Sequence, residues 1–369
     1  MQVKQVTAIP LRLPLKEAFD TAHDRTKVRA LTLLEIQLMD GSVGYGEIQS
    51  FENTAYAPEN QQLSWSVLPQ LVQVLKDHAW NHPQQVAALL DESTDYSFAK
   101  AGLEMACWDA YGHLKQQSLA QLLGVTRKAI PVGKAIGLQA TSAKTEQLIG
   151  EAIAQGYQRI KLKMVPELTV PDLNAWDDSA SLFTIDFNNA LPDKPQSTQI
   201  LATLKQKGIT LVEEPLQGAN WSSYQTLANQ VALPLVSLDE SINDVADVER
   251  ALALDVADAF TLKPGKLGGI GPTLLAQSKI TQAGKLPWIG GMLSSGIGRF
   301  VDAVLAAKQA DPIFPPDSGP TQAYLQADII VEKLHLQAGQ VELPSQPGLG
   351  FHIDWSQVQQ YQTGPAQIF

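Results

Sequence analysis

"RIKLKM", residues 159–164, is the stretch on which the fold turns. Read as a strand, its side chains alternate between two faces. Ile160, Leu162 and Met164 then point one way, and Arg159, Lys161 and Lys163 the other. Two lysines on one face repel each other and gain nothing from burial, so that face meets either water or negative charge. Outward from this strand the same rhythm repeats. "VGKAIG" (132–137) precedes it, and "LFTIDF" (182–187), "TLVEEP" (210–215), "LPLVSLDE" (233–240), "AFTLKP" (259–264) and "LPWIGG" (286–291) follow. A helical segment comes after each, except that a helical or irregular stretch follows "RIKLKM". Seven β-then-α units in series predict an α/β fold with a parallel sheet and helical crossovers. Their even spacing favours a barrel over a doubly wound sheet.

The strand ends carry charge at matching places. Lys163, Asp186, Glu213, Asp239 and Lys263 lie near the ends of the second to sixth strands, at intervals of 23, 27, 26 and 24 by subtraction of their numbers. A βα unit of a barrel averages about 30 residues, fewer when compact, and active sites are built at the C-terminal rim. The five residues would therefore converge on one pocket. Three crowded carboxylates cannot all remain ionised without a neutralising partner. All-oxygen donors point to Mg2+ or Mn2+, completed by water or substrate. Zinc would favour histidine or cysteine, and residues 114–334 contain neither. The same absence removes the usual general base. A lysine titrates ordinarily near ~10.4. Burial beside Lys161 and a dication would lower that value and make Lys163 a usable base. A cation holding a substrate carboxylate, with a lysine beside its α-carbon, suits proton abstraction at that carbon.

The rest of the chain sets limits. With 38 acidic against 27 basic residues, a net charge of −11 argues against nucleic acid as partner. A local basic cluster can still receive a small anionic substrate. Cys107 is the only cysteine, so an internal disulfide and a thiolate metal site are excluded, and its apolar surroundings predict a core thiol. The N-terminus has no continuous apolar run like a signal peptide's. No stretch approaches the roughly 18–20 apolar residues needed to cross a bilayer. A cytoplasmic protein without a membrane partner is expected. The first 125 or so residues read as an α+β domain, with a hairpin over 29–48 turning at Asp40-Gly41 and a helix over 98–124 stopped by Gly124. The last 50 or so return to short strands, with 340–354 folded back on the first domain.

Taken singly, these motifs have ordinary explanations. "KLK" could be a solvated strand face, "DES" (239–241) a helix cap, and "VEEP" a loop start. "KPGKLGG" (263–269) lacks the Gly-Lys-Ser/Thr ending of a phosphate loop. Together the motifs resemble the enolase superfamily, in its muconate-lactonizing subgroup, nearest the branch of o-succinylbenzoate synthases and N-acylamino acid racemases. The resemblance rests on "KLK" (161–163), "DFN" (186–188), "VEEPL" (212–216), "LDES" (238–241), "KPGKLGG", "GGMLSSGIGR" (290–299), "PGLG" (347–350) and the helix "GLEMACWDAYGHL" (102–114). It covers nearly the whole chain.

The resemblance implies a modified TIM barrel, (β/α)7β, over residues 128–320. An α+β capping domain over 1–127 would close on it, joined by a C-terminal segment, 321–369. It implies Lys163 as acid/base, Lys161 as its electrostatic support and Lys263 as the opposing lysine. Asp186, Glu213 and Asp239 would be the metal ligands, and Asn188, Met292, Leu293 and Tyr56 would surround a small-molecule carboxylate substrate. Such sites pair a lysine base with Mg2+. The implied activity is a hydro-lyase, o-succinylbenzoate synthase, which dehydrates a succinyl-hydroxycyclohexadiene carboxylate in menaquinone biosynthesis. The alternatives are an N-acylamino acid racemase or related epimerase on the same two lysines, and a non-catalytic barrel used for binding. Assembly as a homo-oligomer is left open.

Some positions depart from the family pattern. Phe187 stands where alanine is usual and is expected to narrow the pocket floor. Ser294 and Ser295 replace a Glu-Thr type pair, Glu214 a glutamine, and Lys266 an arginine common in racemase members. His23, Asp24, Arg25 and Lys27 fall in a loop expected over the site. The acidic stretch 165–181 has no assigned role.

Overall fold

The computed structural model describes residues 1–369 except 169, 177, 178, 180, 219, 229, 231 and 310–312. Four of these lie in the acidic stretch 165–181, which is thus only partly within the described residues.

The N-terminal region is a sheet with helices on one face. Val3–Asp20 pairs antiparallel with Arg25–Leu38, which pairs in turn with Val43–Ile48. The turn at Asp40-Gly41 places Gly41 at φ +90, a left-handed conformation that glycine adopts without steric cost. Helix Ser97–Lys115 lies on this sheet, and it lies close. A Cβ on Gly44 or Gly46 would run into the helix backbone at Ala106 and Gly102. These glycines in the third strand set the sheet-to-helix distance.

The helix predicted over 98–124 is two helices. The first ends at Lys115 because Gln116 turns left-handed, with φ 55. Ser118 then starts a short second helix, Leu119–Leu122, through a reciprocal capping box with Gln121. That serine-to-glutamine signature is readable in the sequence, but the uninterrupted apolar spacing obscured it. The chain's last strand, Gln367–Ile368, pairs with Thr7–Ala8 of the first. The segment 340–354 divides. Leu349 N–H donates to Asp109 Oδ1 of the cap helix at 2.7 Å, whereas Gln340–Glu342 pairs with Ala129–Pro131 at the barrel's foot.

Seven parallel strands form the second sheet, in chain order: Gly133–Ile136, Arg159–Lys163, Leu182–Asp186, Leu211–Glu213, Leu235–Leu238, Ala259–Leu262 and Leu286–Ile289. Residues 315–318 close it. Asp317 N–H donates to Ile289 O at 3.2 Å, and Gly133 N–H donates to Pro316 O at 2.8 Å. An eighth segment is therefore hydrogen-bonded between the seventh strand and the first, which gives a (β/α)7β barrel. The second unit is the irregular one: among its described residues only a 3-10 turn, Leu173–Trp176, stands where the other units carry an α-helix.

Helix starts along the barrel follow local chemistry. Thr141, Asp244 and Ser295 each accept a first-turn N–H with a side-chain oxygen, and Pro195 opens its helix at the first turn. Two buried cap glutamates fasten the domains. Glu104 accepts from the Ile270 and Gly271 N–H groups at 2.8 Å each, at the start of helix Ile270–Gln282. Glu47 accepts from Ser295 Oγ at 2.5 Å and Gly298 N–H at 3.0 Å, at the start of Gly296–Lys308. Both place a carboxylate against a helix N-terminus, where free N–H groups and the helix dipole favour negative charge. No helix among the described residues is long and apolar enough to cross a membrane.

Candidate active site

Strand register brings the charged residues together. Lys163, Asp186 and Glu213 are directly paired across the second, third and fourth strands. Asp239 follows the fifth strand and Lys263 the sixth. All are buried, and they pair by charge. Lys163 Nζ donates to Asp186 Oδ2 at 2.6 Å and to Asn188 Oδ1 at 2.9 Å. Lys161 Nζ donates to Glu213 Oε2 at 2.8 Å and lies 3.4 Å from Asp186 Oδ2. Lys263 Nζ donates to Asp239 Oδ2 at 2.6 Å. This is the negative charge that the "KLK" face meets.

The acids set the electrostatics of the other two lysines. Burial does act to lower Lys161 and Lys263. At Lys161, however, Asp317, Glu213 and Asp186 outweigh it, and at Lys263 Asp239 and Glu213 do, so both ammonium groups are held above their ordinary range. Among the carboxylates, burial is opposed by Lys163 and Lys161 at Asp186, and by Lys263 and Lys266 at Asp239. Both acids end below their usual values. Glu213 goes the other way, pushed up to about 8 by burial and by the charge of Asp186, against Lys161. Burial and mutual repulsion thus oppose full ionisation of three acids this close, and further positive charge would favour it.

No three His, Cys, Asp or Glu side chains among the described residues stand ready-made as a cation cage. Each carboxylate of the trio faces a lysine instead. The donor set nonetheless suits a hard dication. It is all oxygen, Asp186 and Glu213 sit side by side in register, and Glu213 Oε1 is buried without a hydrogen-bond partner.

A cavity of about 410 Å3 opens in front of the lysines, bounded by Lys161, Lys163, Lys263 and Asn188 on the barrel side. Met292 and Leu293 line it after the seventh strand, and Tyr56 and Phe51 from the cap. All four residues expected around the substrate thus face this cavity. Tyr56 does more than line it. Its hydroxyl donates to Asp239 Oδ1 at 2.8 Å and accepts from Lys263 Nζ at 2.8 Å, while its ring lies under both Lys263 and Lys266. His23 and Asp24 of the first turn also reach the cavity; Arg25 and Lys27 belong to the second strand, and Arg25 pairs with Asp20.

The departures from the family pattern resolve as follows. Phe187 does not narrow the pocket floor. Its side chain is 2% exposed and packs in the hydrophobic core outside the cavity; the strand ends at Asp186, and Asn188 is already in a left-handed turn with φ 44. Ser295 caps a helix and binds Glu47 rather than substrate. Lys266 is buried, with Nζ donating to Asp239 O at 2.5 Å. Glu214 is held at φ 35, a strained left-handed position. The Asp239 N–H at 2.7 Å and the Tyr224 hydroxyl at 2.8 Å both donate to it, so it braces the loop that carries Asp239.

Sequence reasoning missed two acids. Asp317 lies on the closing segment, 2.6 Å from Lys161 Nζ and bonded to buried Arg159. One more βα interval beyond Gly290 would have reached it. Glu240 accepts from Asn188 Nδ2 at 2.7 Å and faces the cavity; it was hidden beside Asp239 in "DES".

Fold and site together define a barrel protein whose rim sets three acids among lysines beneath a two-terminus cap. Residues 144–357 match the family described as enolase C-terminal domain-like, and residues 1–124 the N-terminal domain of mandelate racemase and muconate lactonizing enzyme. The chain belongs to the enolase superfamily. It is 30% identical over 372 residues to an o-succinylbenzoate synthase of Enterococcus faecalis, covering 98% of each chain. It is also 30% identical over 356 residues to an N-succinylamino acid racemase of an Amycolatopsis species, covering 95% of each. A solved enolase-superfamily protein from Listeria innocua superimposes with a TM-score of 0.93 at 27% identity, over 100% of this chain and 99% of that one.

Proposed function

We propose that the protein is an o-succinylbenzoate synthase, a hydro-lyase that removes a proton α to a carboxylate and expels a β-hydroxyl as water. The observation that supports this reading most is the pair of buried lysines facing one cavity from opposite sides, Lys163 on the second strand and Lys263 after the sixth. The full-length similarity to synthases of that name supports the choice of substrate. Asp186, Glu213 and Asp239 would hold Mg2+, or Mn2+ in its place. When bound, that cation supplies positive charge against the substrate carboxylate as negative charge develops there.

The steps then follow from the chain's own groups. Lys163 Nζ, acting as the base, takes the α-proton, and the electron pair left behind moves into the carboxylate as an enediolate. Lys161 and Lys263, held as ammonium ions by their acids, stabilise that charge. The pair then returns to form the ring double bond as the β-C–O bond breaks, and the departing hydroxide receives the proton from Lys163. Asn188, bonded to Lys163, keeps its Nζ pointed at the reacting carbon.

A second reading, N-succinylamino acid racemisation, has its own support. Lysines on both faces of one α-carbon can pass a proton across it, and a racemase of that description is also 30% identical. The deciding experiment gives the purified protein with Mg2+ both substrates in parallel. Elimination is followed by ultraviolet absorbance, and exchange of N-succinyl-phenylalanine in D2O by loss of the α-proton signal. Fast elimination that vanishes in Lys163→Ala, with slow exchange, is the expected result. Fast exchange with poor elimination would overturn the synthase reading in favour of the racemase.

A further inference from the structure

The barrel has a seam. Seven βα units serve eight strands, so no helix of the repeat covers the junction between the first strand and the closing segment 315–318. The cavity that holds Lys163 and Lys263 runs into this seam, past Tyr157, Gly319 and Tyr324 as far as Glu151.

Strand register shows what is unusual there. Ala135 pairs with Lys161 and so shares its inward face, whereas Lys134 pairs with Ile160 and shares the outward one. On that outward face the other strands present buried apolar residues, among them Ile160, Phe183, Val212, Val236 and Phe260. This is the pattern of a parallel sheet covered by helices. Lys134 alone breaks the layer, on the strand that borders the closing segment.

Lys134 is half-buried and takes no hydrogen bond or ion pair among the described residues. Burial acts to lower its ammonium pKa, and Arg299 adds to that, with Lys16 acting the same way and Glu151 and Glu17 opposing. Both of those acids are exposed at the mouth. The Arg299 donors are already committed, to the Tyr324 hydroxyl at 2.8 Å, Met292 O at 2.6 Å and Asp317 O. A half-buried cation without a partner is stabilised when an anion meets it.

We propose that Lys134 binds an anionic tail of the substrate, a carboxylate remote from the carbon that Lys163 and Lys263 address. This rests on the α-proton reading of those two lysines. By strand geometry the Lys134 Cα stands about 10 Å along the strand direction and about 5 Å across from that of Lys163. The seam therefore suits a substrate with two acidic ends, and Lys134 sets the preference for it.

The test compares N-succinyl-phenylalanine with N-acetyl-phenylalanine, which share the reacting carbon and differ in the tail's charge. Deuterium exchange in D2O with Mg2+ gives kcat and KM, and calorimetry gives binding without turnover. In Lys134→Ala, kcat/KM for the succinyl compound should fall at least tenfold, through KM, with kcat within twofold. The acetyl compound should change less than twofold, and Lys134→Arg should restore the preference. Equal losses for both compounds, or none for either, would overturn the proposal. The two readings also separate. If the wild type exchanges neither compound yet binds the succinyl one more tightly, and that preference is lost in Lys134→Ala, the α-proton reading falls and the anion pocket stands. If binding shows no preference, the pocket falls whatever the exchange rate.

Discussion

The barrel rim and the cap both reach the cavity, but by different kinds of structure. The rim delivers Lys161, Lys163, Asp186, Glu213, Asp239 and Lys263 from adjacent strand ends, locked in register by the sheet. The cap delivers Tyr56 and Phe51 from the segment between its third strand and its first helix. That segment is held by long-range contacts, such as buried Arg29 donating to Ser50 O at 2.9 Å and to Leu293 O at 3.0 Å. The comparison teaches that reacting groups sit where backbone geometry is least adjustable. Groups that shape the cavity sit where it is tied down by a few side chains.

Four measurements would break or sharpen that contrast. The largest effect belongs to the rim. Lys163→Ala should lower the proton-exchange rate by about 10²–10⁴, the usual range for loss of a general base. Its thermal midpoint should stay within a few degrees of wild type. A collapse of stability instead would mean that the lysine's main work is to neutralise Asp186.

Next, Glu213→Gln should weaken Mg2+ binding by about tenfold or more in calorimetry, since it removes one of three anionic donors. Unchanged affinity would remove Glu213 from the metal site.

Tyr56→Phe tests the cap. It deletes one hydrogen bond to Asp239 and one from Lys263. A charge-assisted bond contributes about 1.5–3 kcal/mol, so roughly a tenfold fall in exchange rate is expected. The pH profile should also shift, which a merely structural loss would not produce. A loss as large as that of Lys163→Ala would erase the distinction between rim and cap.

The smallest effect concerns how the two are fastened. Burial pushes Glu104 up to about 7, against its bonds from Gly271, Ile270 and Trp108. A carboxyl raised in the folded state binds its proton more tightly there than in the unfolded chain. Its contribution is therefore fully present below about 4.5 and is lost as pH rises through about 7. Urea unfolding should show this difference between pH 5.5 and pH 8, and Glu104→Gln should flatten it. A variant with an unaltered pH dependence would mean that Glu104 keeps its ordinary titration.

The charged rim was legible because a parallel barrel turns regular spacing into shared position. Each of the five strand-end residues recurs after one βα unit, so subtraction alone predicts convergence. Asp317 escaped because its segment, "PPDSGP", lacks the apolar run that marks a strand. Its pairing comes from edges that the first and seventh strands leave open. Phe187 misled for the opposite reason. It sits between Asp186 and Asn188, and proximity in sequence was taken for proximity to the pocket, whereas its ring packs in the hydrophobic core.

By itself, then, the sequence determined the repeating βα order, the charged strand ends and the absence of histidine and cysteine between residues 114 and 334. These follow from local periodicity and residue chemistry, which need no partner segment. Only the tertiary structure decided which lysine each acid faces. It likewise decided that Tyr56 bridges Asp239 and Lys263, and that Lys134 lines the same cavity as Lys163. Those facts depend on contacts between residues up to 207 apart in the chain, and no local pattern encodes which distant side chain will arrive.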